Sequence, residues 1–141
     1  MALLAYEEAV RLRQVAVTLR DRSAVPPDTQ LVELLLELAT AQKLAGDVTA
    51  ARAAFDRAAA AARHLRSPEL LARAALGISD ERMWAHTGVA AAIPLQEEAL
   101  AAVDESLPTL RVMLQVSLVV WRFDPGDPRT VTLVGEALSA S

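Results

Sequence analysis

His64 and His86 are the only histidines in the chain, and the chain has no cysteine. A zinc site asks for ligands at a spacing such as H-E-x-x-H, and neither histidine has that neighbourhood. His86 stands near Asp80 and Glu81, a grouping that could exchange a proton. No nucleophile or second base accompanies it, so it reads as a loop histidine. The acidic pairs Glu7-Glu8 and Glu97-Glu98 are adjacent in sequence. On a helix, adjacent side chains diverge by about 100°, so these carboxylates fit a solvated face better than a catalytic pair. Ser67 and Ser106 each lie close before a proline and read as helix caps rather than nucleophiles. Arg63 and Arg66 close a helical segment, where positive charge suits the negative end of the dipole. Trp84 and Trp121 read as packing residues. The chain therefore carries no expected catalytic residue, metal-ligand set or cofactor site, and a non-enzymatic role is expected.

The composition explains what must surround these residues. The 141 residues are 53% hydrophobic, with a mean hydropathy of +0.27. Much of that excess is alanine, the best helix former. Of the fourteen Lys and Arg residues only Lys43 is lysine. Glycine is scarce and β-branched runs are nearly absent, which predicts an all-α domain spanning residues 1–141. The net charge of −4 argues against a nucleic-acid surface, because phosphate binding needs clustered cations. Without cysteine there is no disulfide or thiolate metal site. The opening Met1 to Glu8 lacks a basic segment and turns acidic at once, unlike a signal peptide. The longest apolar run, Leu107 to Trp121, is interrupted by Arg111 and Gln115 and falls short of a membrane span. A cytoplasmic setting is expected, with no membrane contact.

Seven helices are predicted. The first covers Ala2 to Arg20 and ends before the loop containing Pro26-Pro27. The second covers Thr29 to Ala45, with Asp28 as N-cap and Gly46 in the left-handed position that stops it. The third covers Val48 to Leu65, capped by Asp47. The fourth covers Pro68 to Ile78, with Ser67 as cap and proline at the first helical position. Residues Ser79 to Gly88 either extend it or form a loop. The fifth covers Ala90 to Asp104, with Pro94 in its first turn. The sixth opens at Ser106-Leu107-Pro108 and reaches Trp121. The seventh opens at Asp127-Pro128 and runs to Ala140. Short turns between such helices favour antiparallel pairs.

A short spelling recurs along these helices. Polar or acidic residues precede alanine at Ala9, Ala58, Ala99 and Ala137. Small residues there would let neighbouring helices approach closely while the preceding polar residues face solvent. These alanines lie 49, 41 and 38 residues apart, and helix pairs repeating at roughly this period suggest an α-solenoid, in which neighbours bury each other's apolar faces.

The segment Ala51-x3-Phe55-x2-Ala58, preceded by Leu38-Ala39 and Ala45-Gly46-Asp47, resembles the tetratricopeptide (TPR) consensus. Ala2-x3-Tyr6-x2-Ala9 resembles the second helix of a preceding repeat, and Leu76-Gly77 the large-small pair of a following one. Gln42 stands where the consensus often has tyrosine. Over most of its length the chain also resembles the helical region of large actinobacterial LuxR-type signal-transduction ATPases. That likeness is carried by Ala45 to Gly77, Trp84, "LQEEALAAV", "SLPTLRVMLQVSLVV" and "DPRTVTLVGEALSAS". In that family an ATPase precedes and a helix-turn-helix follows the TPR-like middle. The chain has no G-x-x-x-x-G-K-[ST] loop and no basic recognition helix, so it is expected to be a fragment without either site.

The resemblance implies a sensor or interaction module that binds a protein, peptide or small effector and couples it to ATPase and DNA-binding parts elsewhere. A free-standing TPR adaptor is the alternative, and a small helical enzyme a third reading. Solenoid geometry places a concave groove along the first helix of each pair, which nominates Gln42, Glu69, Arg73, Arg111, Gln115 and Arg122 as groove residues. Bare apolar faces on the terminal helices are expected to favour self-association.

Overall fold

The computed structural model describes residues 2–79, 83, 92–121, 132, 135, 136, 138 and 139. Among them are six α-helices and no strand. The helices are α1 (Ala2–Arg22), α2 (Thr29–Leu44), α3 (Val48–His64), α4 (Pro68–Ile78), α5 (Ile93–Ala102) and α6 (Pro108–Trp121). The expected seventh helix and the span Ser79 to Gly88 lie largely outside the described residues, as do Trp84, His86 and Arg122.

The helix ends follow local chemistry. Asp28, Asp47 and Ser67 cap α2, α3 and α4, accepting from the backbone N–H of Leu31 (2.9 Å), Ala50 (3.1 Å) and Leu70 (3.3 Å). Each satisfies a donor that the first helical turn leaves without a partner. The α2–α3 and α3–α4 turns share one hydrogen-bond pattern. Asp47 N donates to Gln42 O and Gly46 N to Lys43 O; Ser67 N donates to Ala62 O and Arg66 N to Arg63 O. This is the Schellman arrangement, and in both turns its last residue is already the cap of the next helix. The left-handed position is filled by Gly46 (φ 88) in one turn and by Arg66 (φ 53) in the other. Arg66 therefore does more than close a helix dipole.

Two helix C-termini differ from expectation by two residues, and α5 begins at Ile93 rather than Ala90. Helix α1 continues to Arg22, and the loop after it is held by Arg20. The Arg20 guanidinium donates to the carbonyls of Val25 and Pro26, both at 3.0 Å, and pairs with Asp28 at 2.9 Å. Helix α5 stops at Ala102, short of Asp104. Val103 turns extended (ψ 123) and is buried, while Asp104 Oδ1 accepts from Ser106 N at 2.8 Å and from the Ser106 hydroxyl. Ser106 is thus spent on Asp104 and does not cap α6; Leu107 precedes that helix, its carbonyl accepting from Arg111 N.

Each helix packs on its neighbour in sequence, and α2 also touches α4, as α4 touches α6. The core lies between these layers. Val32, Leu35, Ala39, Ala51, Phe55, Ala58, Ala62, Ala72, Ala75 and Ile78 are buried and form one continuous apolar cluster. Ala58 and Ala99 are fully buried, while Asp56, Arg57, Glu97 and Glu98 before them are exposed. The recurrent spelling therefore marks a close helix approach at both sites. Ala9, by contrast, is only partly buried.

Phe55 shows the tightest fit. A Cβ on Gly77 would fall within 3.0 Å of three atoms of the Phe55 ring, so α4 needs a glycine where it crosses that ring. Lys43 Nζ sits 5.7 Å from the ring centroid, on its other contact, α2. Ion pairs then link helices two apart: Arg57 to Asp21 (α3 to α1, 2.9 Å), Arg63 to Glu98 (α3 to α5, 2.5 Å) and Arg73 to Glu33 (α4 to α2, 2.6 Å). All are solvent-accessible, so each contributes at most about 1 kcal/mol.

Candidate functional site

A cleft of about 360 Å³ opens between α1, α2 and α4. Helix α1 supplies Tyr6, Ala9 and Arg13 to it. Helix α2 supplies Leu36, Glu37, Thr40, Ala41 and Leu44, and α4 supplies Arg73. The spacing explains the grouping. Tyr6, Ala9 and Arg13 recur at three and four residues, as do Leu36, Glu37, Thr40, Ala41 and Leu44, so each set forms one helix face.

The cleft has an apolar floor and a charged rim. Arg73 donates two hydrogen bonds to Glu33, at 2.6 and 2.9 Å. That bond holds the Glu33 carboxyl below the usual carboxylate range and raises Arg73 in return. Arg13 Nη1 donates to Ala9 O at 3.5 Å. Its Nε is buried without a hydrogen bond and lies 3.6 Å from Glu37 Oε2. The Thr40 hydroxyl donates to Leu36 O at 2.8 Å. The arrangement offers an apolar surface, an aromatic ring and two guanidinium groups, each beside a carboxylate.

Five of the six residues expected to share a groove occupy three places, and the sixth, Arg122, lies outside the described residues. Arg73 lines the cleft, and Glu69, exposed one turn earlier on α4, adds a negative charge that helps raise Arg73. Gln42 is buried at 7% exposure, and its Oε1 has no hydrogen-bond partner; it lies inside the helix stack instead of facing a groove. Arg111 and Gln115 are together on α6, bordering a separate hollow of about 600 Å³ with Glu105, Pro108, Thr132, Gly135, Glu136 and Ser139. There Arg111 Nη1 donates to Val103 O at 3.0 Å, and the buried Gln115 donates through Nε2 to Glu136 at 3.2 Å. A third hollow, about 460 Å³ and mostly apolar, lies between Leu76 of α4, its C-cap Ser79, and Val112, Met113, Val116, Ser117 and Val120 of α6.

Tyr6, Arg13, Glu33 and Glu37 were not nominated from the sequence. Their signal was present as polar residues on apolar helices, with Glu33 and Glu37 four apart inside an otherwise leucine-rich stretch. Among the described residues no group of three or more His, Cys, Asp or Glu could hold a metal ion. No described helix is long and apolar enough to cross a membrane. Comparison with family models, curated proteins and solved structures finds no match to the chain.

Proposed function

We propose that the chain is a non-catalytic interaction module built of TPR-like helix pairs, and that it takes a peptide segment bearing a carboxylate in the α1/α2/α4 cleft. The observation that carries the reading is the cleft itself. Its floor is apolar (Leu36, Ala41, Leu44), its wall is Tyr6, and its rim presents Arg13 and Arg73. An incoming carboxylate would compete with Glu33 or Glu37 for a guanidinium, and an adjacent apolar side chain would settle on the floor. The repeat reading is supported by the contacts between α2 and α4 and between α4 and α6, and by the fit of Phe55 against Gly77. Together with the likeness to LuxR-type ATPases, it makes the module a sensor or docking part of a larger regulator. A ligand bound at the junction of α1 with α2 and α4 would bias that packing and so signal through it.

The test is selection of displayed random peptides against the immobilised protein. The reading expects a shared motif with an acidic residue beside apolar ones. Arg13→Glu and Arg73→Glu should each weaken the selected peptides by about tenfold or more, equivalent to about 1.4 kcal/mol. Enrichment of nothing, or of peptides that bind both variants unchanged, would count against it. A P-loop upstream and a helix-turn-helix downstream in the parent gene would favour the regulator over a free-standing adaptor.

A further inference from the structure

Helix α1 is apolar on two opposite sides. Val17 is buried and Val10 partly buried against α2. About 180° around the same helix, Leu4, Leu12, Val15 and Leu19 are 65, 59, 53 and 62% exposed. Four large apolar side chains in one uncovered stripe are unusual for a free surface. Charges lie within and beside the stripe, placed evenly about Val15. Glu8 and Arg22, both exposed, lie seven residues before and seven after Val15, a separation that returns nearly to the same helix face. Arg11 lies beside Glu8, bonded to it at 3.0 Å through Nε.

We propose that the part of this stripe formed by Leu12, Val15 and Leu19 is the contact between two copies of the chain, paired through antiparallel α1 helices with the two-fold axis at Val15, an overlap of residues 8–22 that leaves Leu4 outside it. On that axis Val15 meets its own copy. Glu8 of each copy then faces Arg22 of the other, twice, and the aliphatic stem of Arg11 covers Leu19 of the partner. A parallel pairing would instead bring like charges together, Glu8 on Glu8 and Arg22 on Arg22. Helix dipoles also oppose in the antiparallel arrangement. Two such faces bury on the order of 1,000 Å², which is the low end for a specific interface, so the dimer is reversible. The cleft lies on a different face of α1, at Tyr6, Ala9 and Arg13, and the pairing leaves it open. This inference is independent of the ligand assigned to the cleft.

Sedimentation equilibrium over a concentration series tests it, with circular dichroism to show that each variant keeps its helices. The chain should form a reversible dimer. Leu12→Glu, and Leu19→Ser as a milder second variant, should raise the dissociation constant by about tenfold or more, with Glu8→Arg raising it about fivefold. Combining Glu8→Arg with Arg22→Glu should bring it back to within about twofold of the original. A chain that stays monomeric up to about 500 μM would overturn the proposal. So would a dimer indifferent to Leu12→Glu and Leu19→Ser, or one that the double charge exchange fails to restore. A dimer abolished by Val116→Glu would place the contact on α6 and overturn it equally.

Discussion

Helices α1 and α3 carry the same spelling and meet different fates. In α3 the residues Ala51, Phe55 and Ala58 are all buried. In α1 the corresponding Tyr6 and Ala9 are only partly buried and line an open cleft. The difference lies in what stands on either side. Helix α3 is held between α2 and α4 by two turns of identical design, and α4 offers Gly77 as a seat for the aromatic ring. Helix α1 packs on α2, and a longer loop containing Pro26-Pro27 separates the two. An aromatic at the consensus position is enclosed only when a neighbour arrives in register with a small residue to receive it. Among the described residues α1 has no such neighbour, and it shows a cleft on one face and an exposed apolar stripe on another.

The comparison is open to attack at its strongest point first. Phe55→Ala should cost about 3–5 kcal/mol in chemical unfolding, the range for removing a buried aromatic. Tyr6→Ala should cost less than about 1 kcal/mol, as for other accessible positions. Similar losses for both would erase the distinction between the helices.

A sharper form concerns the seat beneath Phe55. Gly77→Ala should destabilise by about 1–3 kcal/mol through overpacking, although the same change in an open helix would stabilise by up to about 1 kcal/mol. Phe55→Leu made together with Gly77→Ala should recover part of that loss. A double-mutant cycle with no coupling would show that the ring and the glycine do not constrain each other.

The two turns flanking α3 supply a smaller effect of opposite sign. Arg66→Gly should stabilise by about 0.5–1 kcal/mol by relieving a side chain in the left-handed region. Gly46→Ala, in the equivalent place, should destabilise by about 1 kcal/mol. Equal effects of one sign would mean the turns are not equivalent.

The smallest effect is in pH. The Arg73 hydrogen bond depresses the folded-state pKa of Glu33. A depressed carboxyl contributes stability above its unfolded value, near 4.3, and loses it as pH falls through the lower folded value. Glu33→Gln should therefore lower the neutral plateau slightly and flatten the acid limb, so that the variant and the parent chain converge at low pH. Because the pair is accessible to solvent, added salt should weaken the same contribution.

Much of this architecture is legible in local chemistry. Asp28, Asp47 and Ser67 stand where a cap must stand, Gly46 where only a left-handed residue fits, and Ala58 and Ala99 where helices must approach. Contacts between distant residues are not legible in the same way. Arg63 has a sufficient local explanation in the dipole of α3, and nothing nearby in the chain indicates that Glu98 binds it. Arg66 carries no mark of its left-handed backbone, because the turn imposes it. The end of α5 depends on a carboxylate turning back to Ser106, which competes with helix continuation at a position where both outcomes have similar propensity. For the site, Arg73 was legible as a charge on an apolar helix. Tyr6 is hidden by its own motif, which equates it with Phe55, and Gln42, which solenoid geometry assigns to the groove, is buried in the stack.

Native-state hydrogen exchange at low urea tests the contrast between α1 and α3 most directly. The account predicts that the central amides of α3 exchange only through global unfolding, while those of α1 exchange faster, through detachment of that helix alone. Equal protection in the two helices, with the same urea dependence, would contradict it.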